Sequence, residues 1–302
     1  MIRRREALWF YILVMPWVIG FLALTLGPMV YSMFLSLTNW DLFTDPIFIG
    51  PANYIKLITS DKIFWKTVYN TLYYALLSVP LTILFSLFIS YFLSRPVRGT
   101  SLYRTLYYIP ATVPGVASAL LFKWLLAPSS GMINRGLAVF GIEGPSWLLD
   151  PVWVKPALIL MAMWTVGASI TLIMAGIRSI PDEFYEAAAL DGASPFTQYM
   201  RVTLPMLSPV IFFNLINGLI GSLQIFTQIY IMTGTGGASM GGPNNASMMI
   251  VPYLFNNGFR FYKMGYASAI AWVLFVLVMV FTLLVFRSSS AWVYYETEVR
   301  KS

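Results

Sequence analysis

Residues 179–209 read SIPDEFYEAAALDGASPFTQYMRVTLPMLSP, a polar, helix-forming insert between two long apolar runs. Ser179 stands where it can cap a first helix, with Asp182 three residues on as the acidic partner of a capping box. Pro181 falls in the first turn, where a missing N–H does no harm. Glu186, Ala187, Ala188, Ala189 and Leu190 carry the helix forward. Asp191 and Gly192 follow, and Gly192 ends it, because glycine adopts the left-handed conformation without steric cost. Ser194 and Pro195 open a second helix by the same logic, running to about Leu204. Pro205 and Pro209 then bend the chain into the next apolar run. The stretch predicts a compact elbow of helix, turn and helix.

Around this insert the chain is 58% hydrophobic and only 10% charged, with a mean hydropathy of +0.73. Soluble domains carry about 25% charged residues, so the composition indicates a polytopic membrane protein. The net charge of +7 has its explanation in topology, since no basic surface interleaved with aromatics suggests nucleic acid. With no cysteine and no histidine, disulfide frameworks, thiolate chemistry and imidazole ligands or bases are excluded.

A helix crosses the hydrocarbon core with about 20 apolar residues. Six segments qualify: roughly 8–36, 68–94, 103–127, 154–177, 206–232 and 265–287. The first follows Arg3-Arg4-Arg5 but is longer than a signal-peptide apolar core and lacks an A-x-A site, so it reads as an uncleaved span. An even number of crossings puts both ends on one side. That side also holds Arg95, Arg98, Arg104, Arg178, Arg201, Arg287, Arg300 and Lys301. Lys56, Lys62, Lys66, Lys123, Arg135, Lys155, Arg260 and Lys263 fall on the other. Loop 95–104 has three arginines and no acid, and the positive-inside rule therefore places the elbow and both termini in the cytoplasm. The whole of 1–302 reads as a single transmembrane domain, with termini too short for a further catalytic domain.

Outer loop 38–67 contains Asn39-Trp40-Asp41-Leu42-Phe43 and Gly50-Pro51-Ala52-Asn53-Tyr54 and reads as an ordered cap. Pro110 and Pro114 should kink span three, which places that span inside the bundle. Outer loop 233–264 opens with Gly234, Gly236, Gly237, Gly241 and Gly242. No G-x-x-x-x-G-K-[ST] pattern follows, so a flexible linker is expected there rather than a phosphate loop.

The spans contain no acidic residue, and Lys123 and Lys155 lie near their outer ends. Nothing offers a mid-membrane site for coupling an ion. A polar path is offered instead by span five, where Asn214, Asn217, Gly221, Gln224 and Gln228 recur at three and four residues. On one continuous helix they would form a single line about 21 Å long. Packing between helices is the alternative reading of the same residues. Trp164, Thr165 and Ser169 in span four suit a sugar ring, an aromatic face for its apolar side and hydroxyls for its own. Trp164 is equally suited to core packing. Asn70, Tyr73 and Tyr74, near the outer interface, read as interfacial anchors in preference to ligands.

Glu186-Ala187-Ala188, Gly192 after three residues, and Val202-Thr203-Leu204-Pro205 after nine more together resemble the EAA loop of permease subunits of binding-protein-dependent ABC importers. The family pattern carries isoleucine where this chain has Val202. The resemblance extends over nearly the whole chain, and two outer regions resemble the sugar-importer branch: loop 38–67, and the stretch from Tyr253 with Asn256-Asn257-Gly258-Phe259 and Met264-Gly265-Tyr266-Ala267-Ser268-Ala269. It implies an all-α membrane protein of the type I importer fold: six transmembrane helices and a cytoplasmic coupling helix between the fourth and fifth. Glu186, Ala187, Ala188, Leu190, Asp191, Gly192 and Pro205 would then serve the contact with an ATPase. Implied partners are a second permease subunit, two ATPase subunits holding ATP and magnesium, and an extracytoplasmic solute-binding protein. This chain would bind no cofactor and have no enzymatic activity of its own. The implied site is a bacterial or archaeal inner membrane, and the implied cargo a sugar or oligosaccharide. A glycerol phosphate diester or polyol, or an ATP-independent carrier, are the rival readings.

Overall fold

The computed structural model describes residues 2–94, 99–234 and 240–294. Arg95, Arg98, Gly236, Gly237, Arg300 and Lys301, and the side chains of Arg3, Arg4 and Arg5, lie outside what is described. The chain forms two compact units, residues 1–61 with 254–275, and 62–253 with 276–302.

The first unit begins with α1 (Ile2–Phe21) and α2 (Gly27–Ser36), joined through a π-turn at Leu22–Leu26. Trp9–Ser36 is long and apolar enough to cross a membrane. A small ladder follows, β1 (Thr38–Asn39) against β2 (Ile47–Phe48), antiparallel, with Thr38 opposite Phe48. Helix α3 (Ala52–Thr59) closes it. The Asn53 amide donates to the Ser36 and Thr38 carbonyls, each at 2.9 Å, and the Tyr54 hydroxyl donates to Ser36 Oγ at 2.7 Å. Asp41 accepts from the Phe43 and Thr44 amides and the Thr44 hydroxyl. These bonds hold its carboxyl below the usual carboxylate range, the Thr44 hydroxyl first. The two outer motifs meet here: Gly265 N–H donates to the Trp40 carbonyl at 3.2 Å. A Cβ on Gly265 would stand 2.0 Å from the Thr38 oxygen, so only glycine allows this approach.

The second unit is built on α4 (Lys62–Leu93), the second crossing. The third is a broken pair, α5 (Thr100–Thr112) and α6 (Gly115–Leu125), bent by 100°. Proline at 114 drives Val113 out of the helical region (φ −74°, ψ 130°), so the expected kink is a full corner. Buried residues occur in α6, at Ser118, Ala119 and Phe122, and none in α5. The expectation that all of span three lies inside the bundle therefore holds for its second half alone. A short helix α7 (Met132–Val139) follows, tied down by Asn134, which accepts from the Trp147 indole at 2.7 Å.

The fourth crossing is α8 (Val154–Trp164) and α9 (Gly167–Arg178), bent by 46°. The elbow comprises α10 (Asp182–Leu190), α11 (Pro195–Gln198), a π-turn at Tyr199–Thr203 and α12 (Leu204–Met206). It passes through a 64° bend into α13 (Ser208–Leu223), the fifth crossing, followed by α14 (Thr227–Met232). Helix α15 (Ile250–Phe255) and a π-turn at Asn256–Arg260 lead to α16 (Met264–Ser289), the last crossing, whose residues 264–275 belong to the first unit. Among the described residues three straight helices and three bent pairs are long and apolar enough to cross a membrane, six if each pair is one span.

Residues 240–249 are not the flexible linker their glycines suggest. Met240, Ser247, Met248 and Met249 are buried. The buried Asn70 amide donates to the Asn245 carbonyl at 2.9 Å and the Met248 carbonyl at 3.0 Å, and Lys66 Nζ to the Asn244 carbonyl. Asn70 is thus a structural clamp and not an interfacial anchor.

Replacing Asn53 with leucine strands two carbonyls, at a cost of about 1–3 kcal/mol each. A lower thermal midpoint of the purified protein is the expected result, against no change for a polar substitution at exposed Phe43.

Candidate functional site: the elbow and an adjoining cavity

The elbow is fixed from within. Ser179 does not cap α10; it ends α9, its hydroxyl donating back to the Gly176 carbonyl at 2.8 Å. The extended residue before α10 is Pro181 (φ −60°, ψ 139°), because proline can offer neither a side-chain cap nor an N–H to continue α9. Asp182 and Glu183 in the first turn still suit the helix dipole. At the other end Gly192 sits at φ +77°. Its N–H donates to Ala189, and that of Ala193 to Ala188, the paired bonds of a Schellman stop. Ser194 caps α11 as expected, accepting from the Thr197 amide at 3.3 Å.

Two tyrosines seat the elbow. Tyr199 is buried, donates to the Leu87 carbonyl of α4 at 3.0 Å, and meets the Tyr91 ring edge-on at 4.6 Å. Tyr185 and Thr203 share a hydrogen bond of 3.0 Å. Beneath them Ile173, Ile180 and Leu207 form a buried cluster. Tyr185 and Ala188, three residues apart, are half-buried, whereas Glu183, Glu186, Ala187 and Leu190 face outward. Of the residues expected at the contact, Ala188 therefore lies on the inner face. Glu186, Ala187, Leu190, Asp191, Gly192 and Pro205 are exposed. Leu190 is 90% exposed, and Phe184, Phe196 and Met200 add apolar area to the same elbow. Neither tyrosine was singled out in the sequence, although aromatics inside an otherwise polar insert were the available signal.

Next to the corner of span three lies a cavity of about 300 Å³. Its polar lining is Tyr74, Ser118, Thr165 and Gln228, with no charged residue. The Ser118 hydroxyl is buried without a hydrogen-bond partner. Thr165 and Gln228, remote in sequence, are brought together here. So is Tyr74, which is buried and not an interfacial anchor. Trp164 lines a larger apolar cavity, packing on Phe122 at 5.4 Å between ring centres. Ser169 Oγ is buried and unpartnered.

The five-membered polar line on span five does not exist as one helix face. Helix α13 ends at Leu223 with Gln224 as its C-cap, and Phe226 (φ −135°, ψ −61°) breaks the register before Gln228. Asn214 and Asn217 donate to the carbonyls four residues back, at 3.0 and 2.8 Å. Asn217, Gly221 and Gln224 are exposed together on α13, while Gly218 packs on Val79 of α4.

Residues 57–292 match the family described as the binding-protein-dependent transport system inner membrane component, and the chain belongs to that family. A probable ABC transporter permease protein of Bacillus subtilis, YesP, is 39% identical over 98% of this chain and 94% of its own. The trehalose/maltose transport system permease protein MalF of Thermococcus litoralis is 31% identical over 93% of this chain and 94% of its own. In fold, the chain resembles a subunit of a bacterial ABC transporter involved in importing the acidic polysaccharide alginate. The TM-score is 0.81 at 24% identity, covering 95% of this chain and 96% of that one.

Tyr199→Ala removes the ring and hydroxyl that hold the elbow to α4. Tryptic cleavage at Arg201 should accelerate several-fold relative to the parent protein, with Tyr199→Phe, which loses about 1 kcal/mol of hydrogen bonding, falling between the two.

Proposed function

We propose that this chain is one permease subunit of an ATP-driven importer, carrying a neutral sugar or oligosaccharide released by an extracytoplasmic binding protein. A second permease subunit completes the path. Two separate ATPase subunits hold ATP and magnesium, and this chain hydrolyses nothing and binds no cofactor. The elbow and both termini face the cytoplasm, as the arginine distribution favours.

The observation that carries the reading is the outward face of α10. A leucine that is 90% exposed on a helix locked by a Schellman stop is a surface awaiting a partner. Leu190, Ala187 and Glu186 enter a groove on the ATPase, and Gly192 keeps the arm stiff. The uncharged cavity at Thr165 and Gln228 supports a neutral polar cargo, in keeping with the trehalose/maltose transport named for one relative. A phosphodiester would call for a guanidinium or ammonium there.

Gly192→Val forces a β-branched residue to positive φ, at about 1–2 kcal/mol. Combined with Leu190→Ala, it should leave the protein inserted in the membrane while cutting ATP-driven uptake by the reconstituted transporter at least several-fold. Undiminished uptake would refute the elbow's role. The cavity is tested separately: Thr165→Val with Gln228→Leu should raise the half-saturating sugar concentration several-fold, and an unchanged value would move the path elsewhere.

A further inference from the structure

A second hollow of about 410 Å³ separates α5 from α9, running from the neighbourhood of the Thr165 cavity at Gly167 and Thr112 to Arg178 beside the elbow. One wall is a single face of α9, Gly167, Ile170, Thr171, Met174, Ala175 and Arg178, at spacings of three and four. From α5 come Arg104, Tyr107, Tyr108 and Thr112. The hollow closes at Gly167, where an added Cβ would stand 2.2 Å from the Tyr107 carbonyl oxygen.

Its chemistry is lopsided. Most of the lining is apolar, and the two cations, Arg104 and Arg178, act on one another as like charges. No acidic residue lines the hollow. Arg104 donates one N–H to the Leu93 carbonyl at 3.2 Å, but its Nε is buried with no hydrogen-bond partner. Among the described residues neither guanidinium has an ion pair.

We infer that this groove binds an anionic phospholipid, with its phosphate on Arg104 and Arg178 and an acyl chain held between Ala175 of α9 and the exposed Tyr108 and Ile109 of α5. Two convergent guanidiniums match phosphate oxygens, and basic pockets between spanning helices suit anionic headgroups. The dimensions agree: Gly167 to Arg178 is about 16 Å at 1.5 Å per residue. Half a hydrocarbon core of about 30 Å is nearly the same length. A free phosphate would leave the apolar wall uncovered. A sugar would find few partners along Tyr108, Ile109 and Ala175. The inference does not rest on the identity of the transported cargo.

The test is native mass spectrometry of the assembled transporter from micelles containing equal phosphatidylglycerol and phosphatidylcholine. Phosphatidylglycerol should be retained on this subunit several-fold over phosphatidylcholine. Excess inorganic phosphate should not displace it. Arg178 is exposed and makes no hydrogen bond among the described residues, so Arg178→Gln spares the fold and should reduce the preference several-fold. Arg104→Gln added to it should abolish the preference. Equal retention of the two lipids in the parent protein overturns the inference, as does an undiminished preference in Arg178→Gln. Displacement by inorganic phosphate also overturns it, by marking a site for soluble anions. Because bound lipid mass is the readout, failure here leaves the transport reading untouched.

Discussion

Within hydrocarbon, a peptide N–H or C=O has no water to bond, so a crossing helix is interrupted only where other protein groups or a cavity receive the freed backbone. Three helix pairs are bent all the same; the breaks in spans three and four meet at one cavity, whereas the bend before α13 lies at Leu207 beside the elbow. Ala111, Val113 and Gly115 from the corner of span three, Thr165 from the break in span four, and Gln228 just past the end of α13 line one cavity. The two breaks in spans three and four thus border a single hollow. Lys123 shows how the loose ends are met: its ammonium donates to the Ile231 carbonyl at 3.0 Å, at the last turn of α14.

The elbow obeys a different constraint, because it lies at the ends of the spans, where a polar sequence can fold as an ordinary amphipathic helix. Its inner face is fixed by hydroxyls, Tyr185 to Thr203 and Tyr199 to the Leu87 carbonyl, and by the apolar cluster under Ile180. Among the described residues its outer face, with Leu190 90% exposed, makes no contact that fixes it.

Much of this was legible in the residues. Runs of apolar residues correspond to three straight helices and three bent pairs long and apolar enough to cross a membrane, although the helix expected from residue 68 begins at Lys62 and the pair before α13 covers 195–223 where 206–232 was expected. Gly192 and Ser194-Pro195 announced the turn of the elbow through backbone preferences that depend on almost nothing distant. What could not be read depended on distant partners. Ser179 could serve either helix end, and Pro181 decided for the earlier one. Regular spacing of Asn214, Asn217, Gly221, Gln224 and Gln228 implied a continuous face, yet no local residue announced the break at Phe226. Glycines 241 and 242 suggested slack chain, whereas the clamp belonged to Asn70, more than 170 positions away.

Helix α9 joins the two features into one device. It starts at the break beside Thr165 and ends at Arg178 beside the elbow, twelve residues or about 18 Å long. Ile170 and Met174 lock it against Ile89 and Leu93 of α4, and Ile173 packs with Ile180 and Leu207. At Gly176 an added Cβ would stand 2.7 Å from the Leu207 side chain and 3.0 Å from that of Val210, so the base of span five is packed directly on the rod. Close-packed clusters of this kind move as bodies and do not deform smoothly. Through Ile180, Leu207 and Tyr185 the elbow, α9 and the start of α13 therefore pack as one body. The first place where span four can absorb a change of angle is the 46° break at Trp164–Gly167, which is where the cavity lies.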